Sequence, residues 1–289
     1  MLLKKTALVA GFAALALTAL TACSGTGTPA APSSSAPAPS TSASESSTAP
    51  SESSAPAADL ELVTPGTLTI CSDVPYKPFE YEDASSPSGY TGFDIEVVDA
   101  IAQKLGLTLK VVVTNFDALQ SGTALAADSC DMAASAMTIT DERKKNLDFA
   151  EPYYDSLQSL LVKADSGITD LASTAGKRIG VQKGSTGKHY ATENAPSDTT
   201  LVDFPDDGKM FIALKAGQVQ GLLQDHPVNH QHEVDDPTYK VVETYNTNEQ
   251  YGFAFAKGKR PALLAAVGEQ LAALRADGSY DTLYKKYFG

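Results

Sequence analysis

LTICSDVPYKPFEYEDASSPSGYTGFDIEVVDAIAQKLGLTLKVVV, residues 68–113, decides the architecture. Leu68 to Ser72 reads as a strand, and Pro75 and Pro78 punctuate the loop after it. Gly92 to Leu105 is an amphipathic helix: Phe93, Val97, Ile101 and Leu105 share one face, and Gly106 stands where a glycine ends a helix. Leu109 to Val113 is a second strand. Working outward, Ala118 to Ala127 reads as a short helix and Met132 to Ala136 as a third strand. The β-α-β-α-β order calls for a parallel sheet with helical crossovers.

The pattern then restarts. Ser159 to Lys163, Arg178 to Val181, Leu201 to Phe204 and Gly221 to Leu223 read as strands. A turn or short helix begins at Leu171. The loop Gly184-Ser185-Thr186-Gly187 opens a helix, and Met210 to Ala216 is another. A last strand, Gly252 to Ala256, precedes a long helix from Pro261 to Ala276, with Pro at its first position and Gly278 as its stop. Two α/β lobes follow from this order, with the C-terminal helices returning to the first.

The N-terminal part reads as targeting and tether. Lys4 and Lys5 form a positive start, and Ala7 to Leu20 is an apolar run too short for a stable membrane span. It ends in Leu20-Thr21-Ala22-Cys23. Every residue from Ser24 to Ala58 is Ser, Thr, Ala, Pro, Gly or Glu, so nothing large and apolar offsets the entropy of ordering it. The segments expected are 1–22 leader, 23–58 tether, 59–154 lobe 1, 155–248 lobe 2 and 249–289 return to lobe 1. The formal net charge of −13 argues against nucleic acid as a partner. Cys71 and Cys130 are an even pair; a disulfide and two buried reduced thiols are both open.

Several segments carry a resemblance. They are Tyr76-Lys77-Pro78-Phe79-Glu80, Thr91-Gly92-Phe93-Asp94-Ile95-Glu96, Ala134 to Arg143 with Asp148 to Tyr154, Gly180 to Gly187, Leu222 to Val228, and Arg275 to Tyr280 with Lys286-Tyr287-Phe288. In this order they resemble the polar amino-acid-binding proteins of ABC importers, solute-binding family 3. The residues around Cys23 are similar to a bacterial lipobox, which implies cleavage after residue 22 and a lipidated Cys23. The resemblance implies a two-lobe periplasmic-binding-protein type II fold, each lobe a mainly parallel sheet flanked by helices. It implies a monomer, lipid-anchored on the extracytoplasmic face of the cell membrane. Such a protein delivers a free amino acid to an ABC permease and its ATPase, with no cofactor and no catalysis.

The chemistry agrees with what the resemblance implies. An amino acid's two charges must both be met in a closed site. Arg143 offers a planar, permanently charged fork to the carboxylate. Thr138, Ser185 and Thr186 stand where unpaired backbone N–H groups collect. Asp225, the Ala136 carbonyl and the Thr138 hydroxyl are the implied ammonium ligands. Asp73, Tyr76, Phe116 and Gln182 are the implied side-chain pocket. Read without the family, Arg143 is a solvated helix residue, Asp225 a helix cap, and Tyr76 a core or rim aromatic. His226, His230 and His232 read as a polar helix face rather than a metal site, since His232 points away from the other two. The rival functions are a cyclohexadienyl dehydratase-like enzyme, with Glu80 as the nearest acid, and a ligand-sensing partner of a membrane receptor.

Overall fold

A computed structural model describes residues 59–289. The expected leader, Cys23 and tether lie outside the described residues. Strand β1 (Thr67–Ser72) is followed by a two-stranded ribbon, β2 (Tyr81–Glu82) and β3 (Tyr90–Thr91). Helix α1 (Phe93–Lys104), strand β4 (Thr108–Val113), helices α2 (Phe116–Gln120) and α3 (Thr123–Ala126), and strands β5 (Met132–Ala133) and β6 (Leu147–Phe149) come next. The second lobe runs through β7 (Tyr154–Lys163), β8 (Arg178–Gln182), α4 (Thr186–Asn194), β9 (Thr200–Phe204), α5 (Asp207–Lys215), β10 (Gly221–Asp225), α6 (His226–Asp235) and β11 (Tyr239–Tyr251). The chain returns through β12 (Ala254–Ala256), α7 (Pro261–Ala276) and α8 (Ser279–Phe288).

Two five-stranded sheets result. The first has the order β4-β1-β5-β12-β6, the second β11-β7-β10-β8-β9. The strands joined by helical crossovers are parallel: β1 with β4 and β5, and β8 with β9 and β10. The antiparallel strands are β12 in the first sheet and β7 in the second. Both adjoin the places where the chain passes between sheets, at 150–154 and 251–253. There the backbone is paired across the passage, Ala150 N to Phe253 O at 3.0 Å and Tyr153 N to Tyr251 O at 2.9 Å. A helical-crossover pattern does not announce those strands, so the sheets are more mixed than the sequence pattern implies.

Helix α1 buries Phe93, Val97, Val98 and Ile101 against Leu263, Val267, Leu271 and Leu274 of α7. Gly92 is required at its start: its φ is +121°, and a Cβ there would stand 2.2 Å from the Phe79 carbonyl oxygen. The expected helix over 118–127 is two shorter ones, because Gly122 turns left-handed at φ +79° between them. Strand β11 was not expected. Its apolar alternation fails, and its pairing with β7 shifts register twice. Cys71 and Cys130 form a disulfide, Cα to Cα 5.7 Å, inside the first lobe.

Candidate functional site: a cavity between the lobes

Residues from both lobes enclose one cavity. Asp73, Tyr76, Phe116, Ser135, Ala136 and Thr138 line it from the first lobe, and Gln182, Ser185, Thr186 and Asp225 from the second. The space is small: the centre of a water-sized sphere has about 10 Å³, enough for about one water. A molecule larger than water therefore enters only when the lobes part.

Arg143 opens a 3₁₀ turn after β5, and its backbone N–H donates to the Thr140 hydroxyl at 3.1 Å. Its guanidinium is buried over the Phe116 ring, 5.1 Å from the centroid. Nη1 donates to the Thr138 carbonyl at 2.6 Å, and Nη2 donates across the cleft to the Gly184 carbonyl at 3.1 Å. Burial pulls the group down to about 10, opposed by Asp225 and Glu249. At neutral pH it keeps its charge.

Asp225 ends β10 at the start of α6, and its side chain does not cap that helix. It accepts instead from the Tyr251 hydroxyl and the Gln158 amide. Burial pushes it up to about 7, and Glu249 adds to the rise. Asp73 follows β1; the Gln182 amide reaches it from the other lobe, and that amide also donates to the Pro205 carbonyl at 3.2 Å. Burial raises Asp73 to about 7 as well. A cation placed beside either carboxylate would favour its ionised form.

The wall behind Ala136 is polar and buried. Ala136 has φ +43°, unusual for a residue with a Cβ. Its N–H donates to Asp94 Oδ2 at 2.8 Å, and the Tyr153 hydroxyl donates to the same oxygen at 2.6 Å. The Ser135 hydroxyl donates to Glu80 at 2.7 Å and accepts from the Asp73 N–H at 2.9 Å. Burial, and then the adjacent Asp94, push Glu80 well above the usual carboxylate range. Glu80 stands behind Ser135 rather than on the cavity wall.

In the second lobe Ser185 caps α4. Its hydroxyl accepts from the Lys188 N–H at 3.0 Å and donates to the Gln182 carbonyl at 2.9 Å. It reaches the cavity, but its hydroxyl is already engaged within the turn. Gly187 lets α4 lie close on the sheet: a Cβ there would be 2.7 Å from Gln158 Oε1 and 3.0 Å from the Leu223 carbonyl.

All ten residues expected to surround a ligand thus converge. Nine line the cavity, and Arg143 adjoins it through Thr138 and Phe116. Sequence reading missed Ser135, Gln158, Tyr251 and Glu249. Ser135 lay in a recognised segment without an assigned role. Gln158, Glu249 and Tyr251 sit on the two passing strands, where no motif marks a site. The histidines divide: the His226 and His230 rings stack with centroids 5.7 Å apart, while His232 is half-buried, packed against Asp207 at 2.9 Å and the Phe211 ring. His232 is therefore a packed residue rather than a solvated one. Among the described residues no cluster of three or more His, Cys, Asp or Glu is arranged to hold a metal, and no helix is long and apolar enough to cross a membrane.

This geometry is that of a two-lobe clamp with one binding cleft. Residues 68–289 match the family described as bacterial extracellular solute-binding proteins, family 3, and the chain belongs to that family. It is 32% identical over 234 residues to a protein named a probable histidine-binding protein of Campylobacter jejuni, covering 80% of this chain and 88% of that one. It is 33% identical over 204 residues to the ABC transporter glutamine-binding protein GlnH of Bacillus subtilis, covering 68% and 72%. Among solved structures it is similar to an ancestral amino acid-binding protein described as a precursor of cyclohexadienyl dehydratase, with a TM-score of 0.70 and 35% identity over 78% of this chain and 96% of that one. The fold is the two-lobe, type II arrangement of periplasmic binding proteins.

Proposed function

We propose that this chain captures a polar L-amino acid outside the cell and delivers it, closed between the lobes, to an ABC permease and its ATPase. One observation carries the reading: a buried guanidinium, Arg143, and a buried carboxylate, Asp225, belong to opposite lobes around one cavity. Neither lobe alone meets both charges of an amino acid, so the ligand favours the closed form. Two of the guanidinium's five N–H groups are used by protein carbonyls, which leaves three for the carboxylate. The backbone N–H groups of Thr138 and Thr186 complete that end. Asp225 and the Ala136 carbonyl take the ammonium. Tyr76 and Phe116 flank the side chain, and Asp73 and Gln182 meet its tip. Asp73 accepts hydrogen bonds, so a side chain tipped with N–H donors fits best. The histidine- and glutamine-binding names of the relatives are consistent with that class. The same reading has Cys23 lipidated, with the monomeric chain on the extracytoplasmic face of the membrane.

Thermal-shift screening of the twenty amino acids tests it, since a ligand bound only by the folded chain raises the melting point. One or a few polar amino acids should respond, and Arg143→Ala and Asp225→Ala should abolish the response. Responses unchanged in both variants would mean the site lies elsewhere. Mass spectrometry of the mature N-terminus checks the acyl group on Cys23. A second reading, dehydration of a cyclohexadienyl acid, draws on the two cavity carboxylates raised to about 7, the range a general acid needs. Turnover of an arogenate-type substrate by the wild-type chain, lost in Asp225→Asn, would favour the enzyme. Binding without turnover favours the carrier.

A further inference from the structure

Glu249 lies on β11, between the lobes, and belongs to none of the roles above. Its carboxylate is buried, 8% exposed. One oxygen, Oε2, accepts from the Thr138 hydroxyl at 2.6 Å and from the Thr186 hydroxyl at 2.7 Å. The other, Oε1, accepts from the Thr247 hydroxyl at 2.8 Å and the Gln158 amide at 3.1 Å. Thr138 belongs to the first lobe and Thr186 to the second. A single carboxylate oxygen therefore ties the lobes together from the strand that passes between them.

A local irregularity puts it there. Tyr245 pairs with Gln158 and Glu249 with Ser156, so residues 246–248 face Leu157 alone. Asn248 takes a left-handed φ of +52° in that bulge. All four donors to the carboxylate are neutral. A buried anion without a contacting cation is costly unless its hydrogen bonds are complete. Keeping both of the Oε2 bonds at once needs both lobes in place. Parting the lobes takes Thr138 and Thr186 away from each other, and one oxygen then cannot keep both.

Hydroxyl direction matters too. Each threonine has one hydroxyl proton, and here it goes to Glu249. The Thr186 hydroxyl also accepts from the Gln158 amide at 3.4 Å, and the lone pairs left on the two hydroxyls remain for the cleft, so these side chains serve an ammonium rather than a carboxylate. Asp225 stands beside Glu249 and shares the Gln158 amide with it.

We propose that Glu249 is a positioning residue and inter-lobe latch. It gathers the Thr138 and Thr186 hydroxyls when the cleft closes and turns them into acceptors for the amino acid's ammonium. The ammonium part rests on the binding function proposed above; the latch part does not.

Spin labels on exposed positions of each lobe, with Glu249→Ala and Glu249→Gln, test the two parts separately. L-Histidine, L-glutamine and L-arginine serve as probes, and circular dichroism confirms that both variants fold. Glu249→Ala should shift the inter-lobe distances toward the open form. It should weaken the best-bound probe at least tenfold, mostly through faster release. Glu249→Gln retains an acceptor oxygen and should fall between Glu249→Ala and wild type. Wild-type distances in Glu249→Ala would overturn the latch. Open-shifted distances with unchanged affinity would overturn the hydroxyl orientation. If none of the probes binds the wild-type chain, the binding reading fails for them, while the distances still decide the latch.

Discussion

The two lobes hold their halves of the site by different means. The first lobe fixes its residues from behind. A disulfide links β1 to the segment before β5, and Asp94, Glu80 and Tyr153 brace Ser135 and Ala136 through buried hydrogen bonds. A large aromatic cluster adds to this, with Tyr153 stacked on Phe253 at 4.2 Å and Phe79 edge-on to Tyr251 at 5.3 Å. The second lobe contains no disulfide among its described residues. It holds its residues at helix starts and strand ends: Ser185 and Thr186 open α4, and Asp225 stands between β10 and α6. The lesson is a division of labour. One jaw is a prebuilt cradle braced by its own interior. The other presents polar ends of secondary structure, and much of its order at the cleft comes from contacts with the first jaw and the passing strands.

The strongest way to break this contrast is to remove the disulfide. It closes a loop of 59 residues in sequence separation, which corresponds to about 4 kcal/mol by the loop-entropy account. Replacing Cys71 and Cys130 by Ala should lower stability by roughly that amount in chemical denaturation. Hydrogen exchange should rise in β1, β4 and β5 before it rises in β8 to β10. Equal loss in both lobes would erase the distinction.

Acidity gives a finer cut. Asp225 in the folded chain is raised to about 7, above the carboxylate's value of 3.8. A group raised on folding favours the native state most below its unfolded value, and that contribution disappears as pH climbs through 7. The chain alone should therefore lose melting temperature between about pH 4 and 7, and less so in Asp225→Asn. Under the proposed function amino acid binding runs the other way, because an ammonium held by Asp225 needs that group ionised. Affinity should fall by up to about tenfold per unit below pH 7. Calorimetric titrations at pH 5.5 and 7.5 check this; tighter binding at pH 5.5 would contradict it. The smallest expected effect is at Ser185. Losing its cap in Ser185→Ala should cost about 1 kcal/mol and leave ligand preference unchanged, because its hydroxyl is engaged in its own turn.

Much of this was legible in the sequence where local rules and tertiary packing agree. β1, α1, β4 and α7 were visible because an apolar stripe, a glycine stop or a first-position proline marks each one. The site residues on those frames were legible through their motifs. What was not legible lies where long-range pairing governs. Tyr239 to Tyr251 forms a strand because β7 accepts it, and its register shifts spoil the alternation that would announce it. Gln158 and Glu249 reach the cleft through that pairing alone. The break between α2 and α3 needed the conformation of Gly122, which composition does not reveal. The engagement of Ser185 and the packing of His232 were equally hidden, since each depends on a partner distant in sequence or on a turn's detailed geometry.

The first described residues are fastened to the first lobe: the Val63 N–H donates to Asp131 at 2.6 Å, and Arg260 donates to the Glu61 carbonyl at 2.9 Å. A tug applied upstream of residue 59 thus enters the braced jaw and leaves the other mechanically unloaded. The second lobe is the door and the first its frame.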